Sequence, residues 1–197
     1  MGKYVNPIKN KRERQMLIDA LKEQSERNRM LGVLGLTTGL RLCDLTRLIV
    51  KDIRDAEKVR DMDNCIYYVI KVVEKKTQKD RELYLTQTIY DEVYEYCRNK
   101  PRYEFLFKSR NGRNKKLSER QASRIIKETA DLIGLDYAVS GHSLRKSYAF
   151  TIYEDTKDIN LVADMLNHSN TMVTRRYIGI DKEAKYKASK NMCKNIL

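Results

Sequence analysis

No stretch of this chain strings together the roughly 20 apolar residues that a membrane-spanning helix needs. Its basic opening, MGKYVNPIKNKRER, lacks the apolar segment of a secretory signal. Gly2 is followed by Asn6 where an N-myristoylation motif requires Ser or Thr, which excludes that lipid anchor. Proline occurs only 2 times in 197 residues, and no repeat, low-complexity tract or Gly/Ser/Pro linker interrupts the chain. One continuous domain is therefore expected, with a core over about 10–180 and a tail over 181–197. Cysteine is sparse too. Cys43, Cys65, Cys97 and Cys193 lie far apart, with no C-x-x-C pair and no histidine at zinc-ligand spacing. They read as free thiols of a reducing cytoplasm, and neither a metal nor a cofactor is expected. Histidine is scarcer still, with 2 in the chain, His142 and His168.

What the chain has in excess is positive charge. Its 40 Lys+Arg against 27 Asp+Glu leave a formal net charge of +13. At 41% hydrophobic and 34% charged residues it has the composition of a folded globular protein. The surplus is uneven: the segment from Arg98 to Glu128 holds eleven Lys/Arg and three Glu. A field of this sign favours a polyanion, nucleic acid first. An anionic membrane surface fits less well, because no strongly amphipathic basic helix stands apart.

The hydrophobic periodicity predicts a helix from about Lys11 to Arg27 with Met16, Leu17, Ala20 and Leu21 on one face. An apolar helix over Arg29–Thr38 should stop at Gly39, and a third should start near Cys43 with Leu45 and Leu48 inward. The period then changes. Cys65–Val73 is β-branched and aromatic, Arg81–Thr86 alternates, and the polar KKTQKD between them reads as a hairpin turn. Helices return at Thr88–Arg98 and at Ser118–Ile133, where Ser118 and Gln121 form a capping box and Gly134 ends the run. Further helices are expected around Ser143–Tyr153, Ile159–Leu166 and Thr171–Tyr177, before a Lys-rich tail, Lys182–Leu197. The fold class is mainly α with a small antiparallel sheet.

Four short stretches are uninformative singly: 37-TTGLRLCDL-45, 75-KKTQKD-80, 142-HSLR-145 and 166-LNHSNTMVTRRY-177. An arginine after a helix-ending glycine usually caps carbonyls or pairs with an acid, and a turn lysine is usually solvated. Tyr177 is one of 13 tyrosines. Together the stretches supply what metal-free cleavage of a phosphodiester requires. Arginine forks clamp phosphate oxygens and stay charged. Histidines donate or accept protons near neutral pH. A mobile lysine can protonate a leaving oxygen. A tyrosine, with a phenol pKa of about 10, is a nucleophile that also leaves again.

This set resembles the catalytic domain of the tyrosine recombinases, the phage integrase family. TTGLR is similar to the family's first arginine motif, HSLR to its H-x-x-R, and LNHS…Y to its nine-residue step from histidine to nucleophile. The order along the chain agrees, the likeness runs from about residue 10 to the end, and both histidines fall on motif positions. The resemblance implies the tyrosine recombinase catalytic-domain fold and a site of Arg41, Lys76, His142, Arg145, His168 and Tyr177. Tyr177 would form a 3′-phosphotyrosyl link, while Arg41, Arg145 and His168 stabilise the phosphate. His142 would assist the tyrosine's proton transfer, and Lys76 would be the general acid. Asp44 sits where the family often carries a supporting acid; a plain surface carboxylate is the other reading. Lys75 is the alternative to Lys76 under a one-residue slip of the hairpin.

Some positions depart from the family pattern. Asn167 stands where glycine usually precedes the second histidine, and a left-handed backbone there would suit Asn best among non-glycine residues. Lys146 follows Arg145 where a histidine is common, and it receives no role. Most family members also carry an N-terminal core-binding domain, whereas one helix precedes the core in this sequence. A separate core-binding domain is thus not expected, as in a trimmed catalytic domain or a minimal recombinase of the kind that inverts fimbrial promoters. LSERQASRI resembles the family helix that enters the major groove, which makes Arg120 and Arg124 base-reading candidates; Lys79, Lys115 and Lys116 are phosphate contacts. The implied partners are double-stranded DNA and further copies of the chain in a synaptic tetramer, at the nucleoid in the cytoplasm. A type IB topoisomerase and a non-catalytic DNA-binding regulator are the competing readings.

Overall fold

The computed structural model describes residues 5–179, 186 and 189–192. It divides into two compact units, one ending at Tyr148 and the other beginning at Ala149. The described chain is mainly helical with one small antiparallel sheet, as the composition and periodicity indicate, and the sheet has three strands.

The first unit opens with α1 (Lys11–Gln24) and α2 (Glu26–Thr38). The first helix is three residues shorter than its periodicity predicts. Ser25 is fully extended and its hydroxyl accepts the Asn28 N–H, so it caps the second helix and ends the first. Gly39, at φ 58°, closes α2 as expected. A side chain could not sit there, since a Cβ would lie 2.2 Å from the Tyr148 ring. Two short helices follow, α3 (Leu42–Leu45) and α4 (Val50–Arg54), with Leu45 and Leu48 buried.

The anticipated hairpin is β2 (Ile66–Val73) with β3 (Asp80–Thr86), in a register that pairs Val73 with Asp80 at the turn. A charged edge strand, β1 (Glu57–Arg60), joins β2 on its other side and was not anticipated. The legible signal for it was the turn DMDN. There the Asp61 carboxylate accepts the N–H groups of Asp63 and Cys65, and Asn64 is left-handed at φ 61°. Strand β2 is tied to α5 (Gln87–Cys97) by the Tyr68 and Tyr90 rings, stacked 3.6 Å apart.

An irregular segment with a backbone bridge between Lys108 and Lys116 leads into α6 (Glu119–Leu132). Ser118 caps α6 by accepting the Gln121 N–H, while the Gln121 side chain accepts from the Ser118 hydroxyl and not from the cap's backbone. Ala122, Ile126, Thr129 and Ala130 form its buried stripe. The core joins Leu21, Leu34, Leu45, Ile70, Phe107, Ile126 and Leu144, each at most 2% exposed. Burial of each such aliphatic or aromatic side chain contributes about 1.5–3 kcal/mol.

The unit boundary falls within α7 (Gly141–Thr156). The second unit continues with α8 (Ile159–Met165), capped by the Asp158 carboxylate, and α9 (Thr171–Ile178), capped by Asn170. Asn167, in the turn between them, is left-handed at φ 54°, the conformation in which Asn replaces Gly with least strain. Most of the Lys-rich tail lies outside the described residues, as does Cys193. Cys43, Cys65 and Cys97 are free thiols. Among the described residues no helix is long and apolar enough to cross a membrane.

Candidate active site

Arg41 and Arg145 are brought together in the first unit by Glu74, a residue the motif reading passed over. Glu74 closes β2 and its side chain is 0% exposed. One carboxylate oxygen accepts from Arg41 Nη1 at 2.6 Å and from the Thr77 hydroxyl at 2.8 Å. The other faces Arg81 Nη1 at 3.4 Å and Arg145 Nη1 at 3.8 Å. Burial works against ionising this carboxyl, but the Thr77 hydroxyl, Arg41 and Arg145 outweigh it and hold it below the ordinary glutamate range. Two backbone carbonyls freed at the end of α2 complete the knot. Gly39 O accepts from Arg145 Nη1 at 2.6 Å, and Thr38 O accepts from Arg81 Nη2 at 2.6 Å.

Arg81 is the other residue that polarity alone hides. It shares the buried face of β3 with Leu83 and Leu85, and its phase in the strand, not its chemistry, was the available signal. Asp44 is 5% exposed, so it is no surface carboxylate. Its Oδ1 accepts the Lys75 N–H at 2.8 Å, which fastens the start of the β2–β3 turn to α3. Lys75 and Lys76 are both exposed on that turn, and Gln78 at φ 53° lets the chain reverse. His142 reaches solvent but is partly desolvated. That, followed by the charges of Arg145, Lys146, Arg41 and Lys76, lowers its pKa below the usual 6.5. Its imidazole is therefore neutral at pH 7, the form that accepts a proton. Lys146 is buried and turned elsewhere, with Nζ donating to the Val5 carbonyl at 2.8 Å.

His168 and Tyr177 meet in the second unit. Their ring centroids are 5.6 Å apart and nearly perpendicular, at 89°. The His168 Nδ1 lies 2.9 Å from the Thr174 hydroxyl oxygen. Thr174 is 0% exposed, and among the described residues its hydroxyl makes no other hydrogen bond. A buried hydroxyl hydrogen without an acceptor costs about 1–3 kcal/mol, which favours the tautomer in which the hydroxyl donates to Nδ1 and Nε2 carries the proton. Thr174 thus sets His168 up as a hydrogen-bond donor through Nε2.

The expected DNA-contact residues are not gathered at one point. Arg120 and Arg124 sit one turn apart on α6, both exposed. Lys115 and Lys116 lie on the bridged segment before it, and Lys79 ends the β2–β3 turn, where its carbonyl accepts the Glu74 N–H. Among the described residues no group of three His, Cys, Asp or Glu side chains is arranged to hold a metal ion.

The first unit, mainly helical with a three-stranded sheet and an arginine knot, and the second, with a histidine against a tyrosine, each carry features of a recombinase-type catalytic fold. The solved structures agree. The XerA recombinase superposes with a TM-score of 0.70 at 20% identity, over 97% of this chain and 66% of that one. XerH bound to a palindromic difH substrate, a post-cleavage complex, gives 0.71 at 21% identity, over 95% and 53%. In sequence, the probable integrase/recombinase YoeC of Bacillus subtilis is 34% identical over 91% of this chain and 92% of its own length. Tyrosine recombinase XerC of Halalkalibacterium halodurans is 30% identical over 87% of this chain and 57% of its own length, so the chain spans little more than half of that relative. The family description "Phage integrase family" matches residues 9–184. The chain belongs to that family, the tyrosine recombinases.

Proposed function

We propose that the chain is a site-specific DNA recombinase that breaks and rejoins strands through Tyr177. The Tyr177 phenolate oxygen attacks a backbone phosphorus. A 3′-phosphotyrosyl bond forms as the bond to the 5′-oxygen breaks, and His142 takes the phenol's proton while Lys76 protonates the departing oxygen. The 5′-hydroxyl of a partner strand reverses the step. One phosphodiester is exchanged for another, so no external energy source is needed. Arg41, Arg145 and the Nε2–H of His168 stabilise the charge on the non-bridging oxygens. Arg120 and Arg124 read base edges, guanine O6 and N7 by preference, while Lys79, Lys115 and Lys116 hold phosphates. The partners are duplex DNA and other copies of the chain in a synaptic tetramer, at the nucleoid in the cytoplasm.

The observation that carries this reading is the imbalance of the Glu74 knot. A structural ion pair neutralises itself, whereas here Arg41 and Arg81 already outnumber the one buried carboxylate they share, and Arg145 lies 3.8 Å from it. Arg41 is 18% exposed and spends one of its five N–H groups on Glu74, which leaves donors for phosphate oxygens. The test is a nicked suicide duplex that traps the covalent intermediate. The wild type should accumulate an adduct, and Tyr177→Phe should bind the same duplex within a few-fold yet form none. An adduct in Tyr177→Phe would move the nucleophile elsewhere, with Tyr153 and Tyr186 the next to test. Processive relaxation of a supercoiled plasmid without recombination sites would favour a topoisomerase.

A further inference from the structure

Outside the groups that do chemistry, the first unit has a second place where arginines gather without matching acids. A recess of about 330 Å³ opens between the α1–α2 junction, the segment 109–117 and the flank of α6. Arg27, Arg110 and Arg124 line it, with Asn28, Asn111 and Gln121 supplying amides between them, and no aspartate or glutamate is among its lining residues.

Arg27 is the built part of this recess. It is half-buried, with Nη1 donating to the Lys108 carbonyl at 2.9 Å, and Nη2 and Nε to Asn28 Oδ1 at 3.0 and 3.3 Å. Three of its five N–H groups are so committed, and they fix the plane of the fork. The Asn28 amide is anchored in turn by donating to Gln24 Oε1 at 2.9 Å. Burial and then the like charge of Arg110 both weaken Arg27's hold on its proton, with Tyr96 a smaller opposing influence. Two guanidinium groups lining one recess, one of them partly out of water and, among the described residues, neither paired with a carboxylate, repel unless an anion joins them. Arg124 adds a third. Its contact to Glu128, 3.7 Å between two exposed side chains, is too long and too wet to hold it.

We propose that this recess seats a backbone phosphate of the bound duplex, clamped by Arg27 and Arg110, beside the helix that carries Arg120. The inference rests on the recombinase reading and extends it to residues no motif contains. Such a clamp fixes the register of α6 on the duplex without reading sequence, because phosphate contacts position and base contacts specify. Arg27 is pre-oriented and Arg110 is exposed, so the second closes on a ligand that the first presents.

The experiment is the salt dependence of binding to a duplex of arbitrary sequence, followed by fluorescence anisotropy from ~50 to ~200 mM salt. Each phosphate contact contributes about 0.9 to the slope of log affinity against log salt. Arg110→Gln, at an exposed position, should unfold with the wild type and lower the slope by about 1. Arg27→Gln should do the same, and the double variant should lose no more slope than either single one, since both hold one phosphate. Lys58→Gln, an equal charge change on the edge strand, should leave the slope alone. An unchanged slope in Arg110→Gln and Arg27→Gln overturns the clamp while duplex binding by the wild type stands. Equal losses in Lys58→Gln overturn it too, by reducing it to net charge. Protection of the wild type but not Arg110→Gln against heat by inorganic phosphate, with no change in duplex slope, would assign the recess to a free anion. A wild type that binds no duplex at any salt would remove the recombinase reading itself.

Discussion

At the scale of single residues, Glu74 carries the heaviest consequences. It is fully buried, faces three arginines and has a depressed pKa. A carboxylate with a lowered folded pKa stabilises the fold above its unfolded value and loses that contribution as pH falls through the folded value. Stability in urea should thus decline below the ordinary carboxylate range, near pH ~4.5, and Glu74→Gln should flatten part of that decline. At neutral pH the same change should cost about 3–5 kcal/mol, because it leaves buried guanidinium charge without its partner. A loss under about 1 kcal/mol would mean that the carbonyls of Thr38 and Gly39 already satisfy the knot. His142 makes a second titration visible. Because its pKa is lowered, the base form persists to below pH ~6.5, so the acid limb of the cleavage profile should lie under that value. His142→Gln should erase the limb. Thr174 acts through His168, so Thr174→Ser should cleave like the wild type. Thr174→Val should lose about 10–100-fold, the rate equivalent of the ~1–3 kcal/mol that an unmade buried hydrogen bond costs.

At the scale of elements, the β2–β3 turn places the lysines, and the Asp44 carboxylate fixes where the turn begins by holding the Lys75 N–H. Lys76 is the next residue, and its charge is among those acting on His142. If Lys76 is the general acid, Lys76→Ala should slow cleavage of ordinary DNA by ~10²–10⁴-fold. It should recover most of that on a 5′-bridging phosphorothiolate, whose thiolate, with a thiol pKa of about 8.5, leaves without a proton. Arg41→Ala and Arg145→Ala should not recover. Rescue of Lys75→Ala in its place would put the acid one residue earlier. This hairpin also shows what could be read before folding. Its strands, its turn, the stop at Gly39 and the Ser118 cap follow from local rules, and the Arg, His and Tyr candidates came from the resemblance of their motifs to those of the family. Arg81 and Glu74 did not, because polarity assigns such residues to solvent. Only their phase, shared with Leu83 and Ile70, points inward. The Ser25 break was hidden because residues 22–29, KEQSERNR, are polar throughout and carry no apolar phase that would mark a boundary. The role of Thr174 depends on a hydroxyl hydrogen, which no pattern of residue types records.

At the scale of the whole molecule, the net charge of +13 sets the terms of any encounter with DNA. If ~6–10 phosphates are contacted, affinity for a non-specific duplex should fall ~10³–10⁵-fold between ~50 and ~200 mM salt. A flat response would remove the charge argument for a DNA partner. The charge explains binding but not chemistry, and the chemistry rests on one covalent bond. The most direct measurement is to trap the adduct on a suicide duplex, digest the protein and identify by mass spectrometry the residue that carries the nucleotide. The account predicts a 3′-phosphate linked to the oxygen of Tyr177. A nucleotide on any other residue, or one attached through a 5′-phosphate, would contradict it.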